Sequence, residues 1–151
     1  MYAVIRIRGS AAKRYEMNDA LEMMRLKSPN NCVLLPENAE AKGMLAKVKD
    51  LATWGEVDKE TLVKLLQKRL RLKGKKRIGK NIKAATGHDS FEKLAEEIMN
   101  GKLNLKNLDK VTPYFRLTPP SKGLKSAKLP YPKGDLGYRG KEINKLLERM
   151  I

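Results

Sequence analysis

A chain of 151 residues with 33 Lys and Arg against 17 Asp and Glu has a formal charge of +16, yet 41% of it is hydrophobic, which favours a packed core over wholesale disorder. Its apolar runs, such as Cys32-Val33-Leu34-Leu35, fall far short of the roughly 20 residues that cross a bilayer, and its first residues alternate charge with aliphatics instead of forming a signal-peptide core; a soluble cytoplasmic protein is expected. A single Cys and a single His exclude an internal disulfide and any zinc site of recognisable spacing, so no structural metal is expected.

Residues 1–8 alternate as a strand, with Tyr2 and Val4 inward together with Ile5 or Ile7, Arg6 and Arg8 pointing elsewhere, and Gly9 ending it. Asn18 or Asp19 is placed to cap a helix carrying Ala20, Leu21 and Met24 on one face, with Glu22 completing a capping box after Asp19. Ser28-Pro29-Asn30 stops that helix, and Asn31–Leu35 reads as a short strand closed by Pro36. Ala41, Met44, Leu45 and Val48 repeat at i, i+3, i+4, i+7, the spacing of an amphipathic helix. Residues 52–57 suit a third strand, and Asp58 caps a helix whose Leu62, Leu65, Leu66 and Leu70 align. A further helix begins at Asp89 or Ser90, buries Phe91, Leu94, Ala95 and Ile98, and stops at Asn100-Gly101. Pro113–Thr118 allows a strand, and from Lys141 a last helix holds Ile143, Leu146, Leu147 and Met150 in register.

This order predicts an α+β two-layer sandwich, a three-stranded sheet with helices on one face, in residues 1–72. A basic linker, 73–88, and a C-terminal extension, 89–151, complete the chain.

The charge is lopsided. Up to Leu66 there are 11 basic and 9 acidic residues, whereas from Gln67 onward there are 22 and 8. Lys68–Lys83 contains nine cations and no acid, and Arg116–Lys141 contains seven cations against Asp135 alone. A solvated face usually mixes both signs, so two such runs point to a polyanion. Pro119, Pro120, Pro130, Pro132 and four glycines break any helix across 117–141, which excludes the amphipathic helix a membrane surface needs and predicts an extended arm. Linker and arm are expected to be loose without their partner. Tyr131 and Tyr138, set among cations, suit stacking on unpaired bases or packing against the protein itself; the sequence leaves both open.

Catalytic signals are poor. Gly74-Lys-Lys-Arg-Ile-Gly-Lys80-Asn81 misses the phosphate-loop pattern at Asn81, which replaces the magnesium-binding hydroxyl, and it follows a Leu-patterned helix instead of a buried strand. Cys32, in an apolar run, and His88, beside a helix start, read as packing or capping residues, and Trp54 as a core anchor. No enzyme and no small-molecule substrate are expected.

Several segments together carry a family resemblance: Leu21-x-x-Met24-x-Leu26, Asn31-Cys-Val-Leu-Leu-Pro-Glu37, Gly43-Met-Leu-x-Lys-Val-x-Asp50 and Thr53-Trp-Gly-Glu56, then Phe115-Arg-Leu-x-Pro-Pro120 and Gly137-Tyr-Arg-Gly140. Through them the chain resembles the archaeal form of large-subunit ribosomal protein thirty, whose eukaryotic relative is large-subunit protein seven. Ser28 stands where the family commonly has a basic or amide residue, with Lys27 as substitute, and Ala20 where it has an aliphatic or Thr. The resemblance implies a truncated ferredoxin-like sheet with its first strand central, no cofactor, and a fixed place on the large ribosomal subunit beside neighbouring ribosomal proteins. The implied function is a structural constituent that binds ribosomal RNA and supports translation. The contacts expected are Arg8, Lys13, Arg14 and Lys27 near strand ends and loops; Lys73, Lys75, Lys76, Arg77 and Lys80 in the linker; and Arg116, Lys122, Lys125, Lys128, Tyr131, Lys133, Tyr138 and Arg139 in the arm. The alternative is a DNA-coating or regulatory protein, which this sequence serves poorly because its most basic helix end, Lys64–Arg71, turns leucines inward and offers no Asn or Gln pair for base edges.

Overall fold

The computed structural model describes residues 1–9, 15–74, 76, 78 and 82–151. Its elements run β1 (Tyr2–Arg6), α1 (Tyr15–Met23), β2 (Asn31–Leu35), α2 (Ala39–Lys47), β3 (Ala52–Glu56), α3 (Lys59–Arg69), α4 (Ile82–Thr86), α5 (Phe91–Met99), β4 (Phe115–Arg116), β5 (Gly137–Tyr138) and α6 (Ile143–Met150), with 3-10 turns at Leu105–Asn107 and Gly140–Glu142.

The α+β class and the central position of β1 hold, but the sheet is wider than three strands. Its order is β4-β2-β1-β3-β5. β1 lies antiparallel to both β2 and β3, with Val4 opposite Val33 on one side and Trp54 on the other. The two extra strands come from the C-terminal extension: β4 pairs antiparallel with β2, placing Arg116 beside Asn31, and β5 runs parallel to β3, placing Tyr138 beside Trp54. Each is two residues long, too short to show a period.

Both faces of this sheet are covered, not one. Tyr2, Val4, Val33 and Leu35 pack with Ala20 and Leu21 of α1 and Ala41 and Leu45 of α2. The alternate positions Ala3, Ile5 and Cys32 pack on the opposite face with α3, α5 and α6, through Leu62, Leu65, Leu94, Ile98, Ile143 and Leu147. Every residue of β1 is therefore buried, and its unbroken apolar stretch Tyr2–Ile5 is the sequence mark of a strand covered on two sides. The extension thus shares its core with the first three strands.

The helix faces fall where their spacing placed them, and α3 and α5 start where expected, while α1 does not. α1 already includes Tyr15, so Asn18 and Asp19 lie inside the helix and cap nothing. Its end is a Schellman turn: Leu26 N–H donates to Leu21 O and Arg25 N–H to Glu22 O, at 2.8 Å each, with buried Leu21 and Leu26 as the accompanying apolar pair. Asp58 does occupy the cap position of α3 but gives its side chain no cap bond; its Oδ2 accepts from Asn144 Nδ2 at 2.9 Å and its N–H donates to Asn144 Oδ1 at 3.0 Å, tying α3 to α6. Ser90 caps α5, accepting from Lys93 N–H at 3.3 Å, and Gly101 at φ 71° follows its end. Exposed pairs Lys59–Glu96 and Lys64–Glu148 join α3 to α5 and α6. No helix among the described residues is long and apolar enough to cross a membrane.

Candidate nucleic-acid interface

Three basic surfaces are built by long-range pairing. The first lies where β4 joins β2. A cleft of about 600 Å³ opens there, lined by Arg25, Lys27, Ser28, Asn31, Tyr114 and Arg116, with Glu22 at its rim. The register that sets Asn31 beside Arg116 brings Lys27 and Arg116 together across the sequence. Behind the cleft, the buried Arg6 guanidinium donates to Leu26 O at 2.6 Å, Lys27 O at 2.8 Å and Arg8 O at 2.9 Å, so an internal cation holds the loop that carries Lys27. Burial pushes its pKa down, though a guanidinium stays charged at neutral pH. Arg25 sits at φ 61°, a left-handed position that costs a non-glycine residue about 1 kcal/mol or more. Lys27 meets Glu22 at 3.3 Å with both side chains exposed, a pairing worth little, and the Arg116 guanidinium lies 6.0 Å from the centre of the Tyr114 ring.

The second surface follows α3. Leu72 bridges to Val111, Lys73 N–H donates to Lys110 O and Thr112 N–H to Arg71 O, both at 2.9 Å. Lys68, Lys73, Lys76 and Lys110, on or beside these paired segments, are all exposed. The third is the arm, where Lys122, Lys125, Lys128 and Lys133 are all exposed, Lys125 Nζ also donating to Pro132 O at 3.1 Å.

Arg139 departs from expectation. Its place among the arm's cations points to RNA, yet only 8% of it is exposed. Its Nε donates to Thr53 Oγ1 at 2.9 Å, and one terminal nitrogen to Asp135 O at 2.9 Å and Asp135 Oδ1 at 2.8 Å. Asp135 Oδ2 accepts from Lys125 and Ser126 N–H. Burial opposes ionisation of Asp135, but the hydrogen bonds from Arg139, Ser126 and Lys125 outweigh it and hold the carboxyl below its usual range. The lone acid of the arm therefore folds the arm, and Arg139 is its internal counter-ion. The Tyr131 ring lies 5.4 Å from the Arg139 guanidinium while 39% of the residue stays exposed, so it touches the protein and remains accessible. Tyr138 is 54% exposed while its hydroxyl donates to Glu56 Oε1 at 2.6 Å, a bond that, with burial and the nearby carboxylates, pushes the phenol up to about 12.

Of the remaining expected contacts, Arg8 is half-buried at the end of β1, and Lys13, Arg14, Lys75, Arg77 and Lys80 lie outside the described residues, as does most of the phosphate-loop-like segment. Sequence reading passed over Arg25, Asn31, Lys110 and Tyr114. Tyr114 had a signal, an aromatic two residues before Arg116, whereas the neighbourhood of Lys110 depends on pairing with residue 73. Cys32 is fully buried in the core, its thiol pushed up to about 12, and partly buried His88 places its Nδ1 3.4 Å from Glu97 Oε1. Trp54 is half-buried against the α1/α2 side of the core.

Residues 2–52 match the family model described as ribosomal protein L30p/L7e. The whole chain is similar to proteins named large ribosomal subunit protein uL30. It is 42% identical to that of Archaeoglobus fulgidus over 151 residues, 99% of each chain. It is 44% identical to that of Thermoplasma volcanium over 153 residues, covering 100% of this chain and 93% of the relative, and 44% identical to that of Methanosphaera stadtmanae over 153 residues, 100% of each.

Proposed function

This chain belongs to the ribosomal protein L30p/L7e family, a structural and non-enzymatic constituent of the large ribosomal subunit, and we propose that it holds its place there by binding ribosomal RNA through the three basic surfaces. The observation that carries this reading is the separation of roles among the arm's charges: Asp135 and Arg139 neutralise each other inside, leaving Lys122, Lys125, Lys128 and Lys133 outside without an acid among them. Such a surface repels itself until phosphates surround it. Lys73 and Lys76 with Lys68 and Lys110 act likewise at the α3 end, and Lys27 and Arg116 at the β2–β4 edge. Lys75, Arg77, Lys80, Lys13 and Arg14 extend the same role by their sequence position.

Affinity is mainly electrostatic, and recognition goes by shape, 2′-hydroxyls and unpaired bases. The protein thereby supports translation as a cytoplasmic scaffold component alongside neighbouring ribosomal proteins. The test is affinity for a fragment of the large ribosomal RNA across a salt series. With about 6–10 phosphate contacts, affinity falls roughly 10³ to 10⁵-fold between about 50 and 200 mM salt; a flat response would defeat the reading. Stronger binding to duplex DNA than to the RNA fragment would support the DNA-coating alternative instead.

A further inference from the structure

We infer that the cleft between β2 and β4 is a receptor for one unpaired RNA nucleotide, with the base stacked on the Tyr114–Arg116 pair and its phosphate held between Arg25 and Lys27. This deepens the RNA-binding reading and rests on it. Four observations converge. The cleft, about 600 Å³, is within the range of roughly 300–1,000 Å³ that small ligands occupy. Its wall holds a ring and a guanidinium already associated, 6.0 Å apart, a platform of the kind on which unstacked bases settle. Asn31, 6% exposed, lines the same cleft, and its amide carries a donor and an acceptor of the kind a base edge needs. Arg25 stands in the left-handed position of the helix-ending turn, at φ 61°, where glycine would sit without steric cost. The Arg25 side chain gains the turn nothing there, and it lines the cleft.

A duplex cannot use this receptor, because its bases are stacked and paired; the expected preference is for loops, bulges and ends. The other two surfaces consist mainly of lysines, which make no such distinction, and the arm adds the exposed rings of Tyr131 and Tyr138 without a cleft around them among the described residues.

The full-length protein is titrated with two probes of equal phosphate number, an RNA hairpin whose loop holds unpaired uridines and a blunt RNA duplex. The wild type should bind the hairpin roughly tenfold more tightly. Tyr114→Leu should erase that preference and leave duplex affinity unchanged, whereas Tyr114→Phe, which keeps the ring, should retain it. Arg25→Gly should weaken the hairpin, reduce its salt slope by about 1 and raise the melting temperature, so that lost binding cannot be ascribed to lost folding. Equal affinity of the wild type for both probes would overturn this inference alone, and so would Tyr114→Leu weakening both equally. Failure of the wild type to bind either probe would overturn the RNA-binding reading together with it.

Discussion

A methyl group on Gly55 would stand 1.9 Å from the carbonyl oxygen of Gly140. This contact is where the extension closes on the core: β3 passes beneath the 3-10 turn of Gly140–Glu142, and Ile143 of α6 lies alongside. Backbone cannot retreat as a flexible side chain can. Gly55→Ala is expected to destabilise by about 3 kcal/mol through overpacking. Gly140→Ala, strained by φ 56° but clear of other atoms within 3.7 Å, should cost about 1–2 kcal/mol. Chemical denaturation of both variants checks the order.

The Asp135–Arg139 pair predicts a pH-dependent loss. Its carboxyl is held below the usual range in the folded state, so its contribution is complete above the unfolded carboxyl value near 3.9 and disappears as pH falls through the folded value. At pH 7, Asp135→Asn should lose about 3 kcal/mol, a fall of roughly 6–12 °C in Tm. The gap between variant and wild type should narrow as the pH is lowered from about 4 toward 2. Calorimetry over that range checks it, and a gap independent of pH would contradict the assignment.

Much of this fold was legible because the helices and the first three strands carry their periods in full. Leu62, Leu65, Leu66 and Leu70 can only share a face. The second covering layer escaped a reading of residues 1–8 as an alternating strand under one layer of helices, although the unbroken apolar Tyr2–Ile5 is the mark of a strand covered on both faces. β4 and β5 were not legible either, since a two-residue strand has no period and is defined by the partner it finds, Asn31 or Trp54. Arg139 misled for a related reason: among seven cations nothing local distinguishes the buried one, except that the run's lone acid stands four residues before it. The start of α1 escaped because Asn18 and Asp19 resemble caps wherever they occur.

Arg139 and the surface lysines should separate experimentally. Arg139→Lys keeps the charge but loses the forked donation to Asp135 and Thr53, so it should lower Tm and leave the salt slope of RNA binding unchanged. Lys122→Ala and Lys128→Ala should leave Tm within experimental scatter and each reduce that slope by about 1. Thermal melts paired with salt titrations distinguish the two classes.

Asn144 should matter more than the one helix cap that forms as expected. The two N–H groups of its amide are shared among Glu56 O, Asp58 Oδ2 and Lys141 O, and its Oδ1 accepts from Asp58 N–H, in a residue 8% exposed. Asn144→Ala leaves those groups without their partner and should cost about 2 kcal/mol. Ser90→Ala, at the exposed cap of α5, should cost about 1 kcal/mol. Urea unfolding of the pair is sufficient to rank them.

The central claim is that phosphate covers the outward lysines while Arg139 stays inside. Amine-specific labelling, read by mass spectrometry on the free protein and on intact large subunits from the source organism, tests it most directly. Lys73, Lys76, Lys122, Lys128 and Lys133 should react readily in the free protein and be strongly protected in the subunit. Equal labelling in both states would contradict the account.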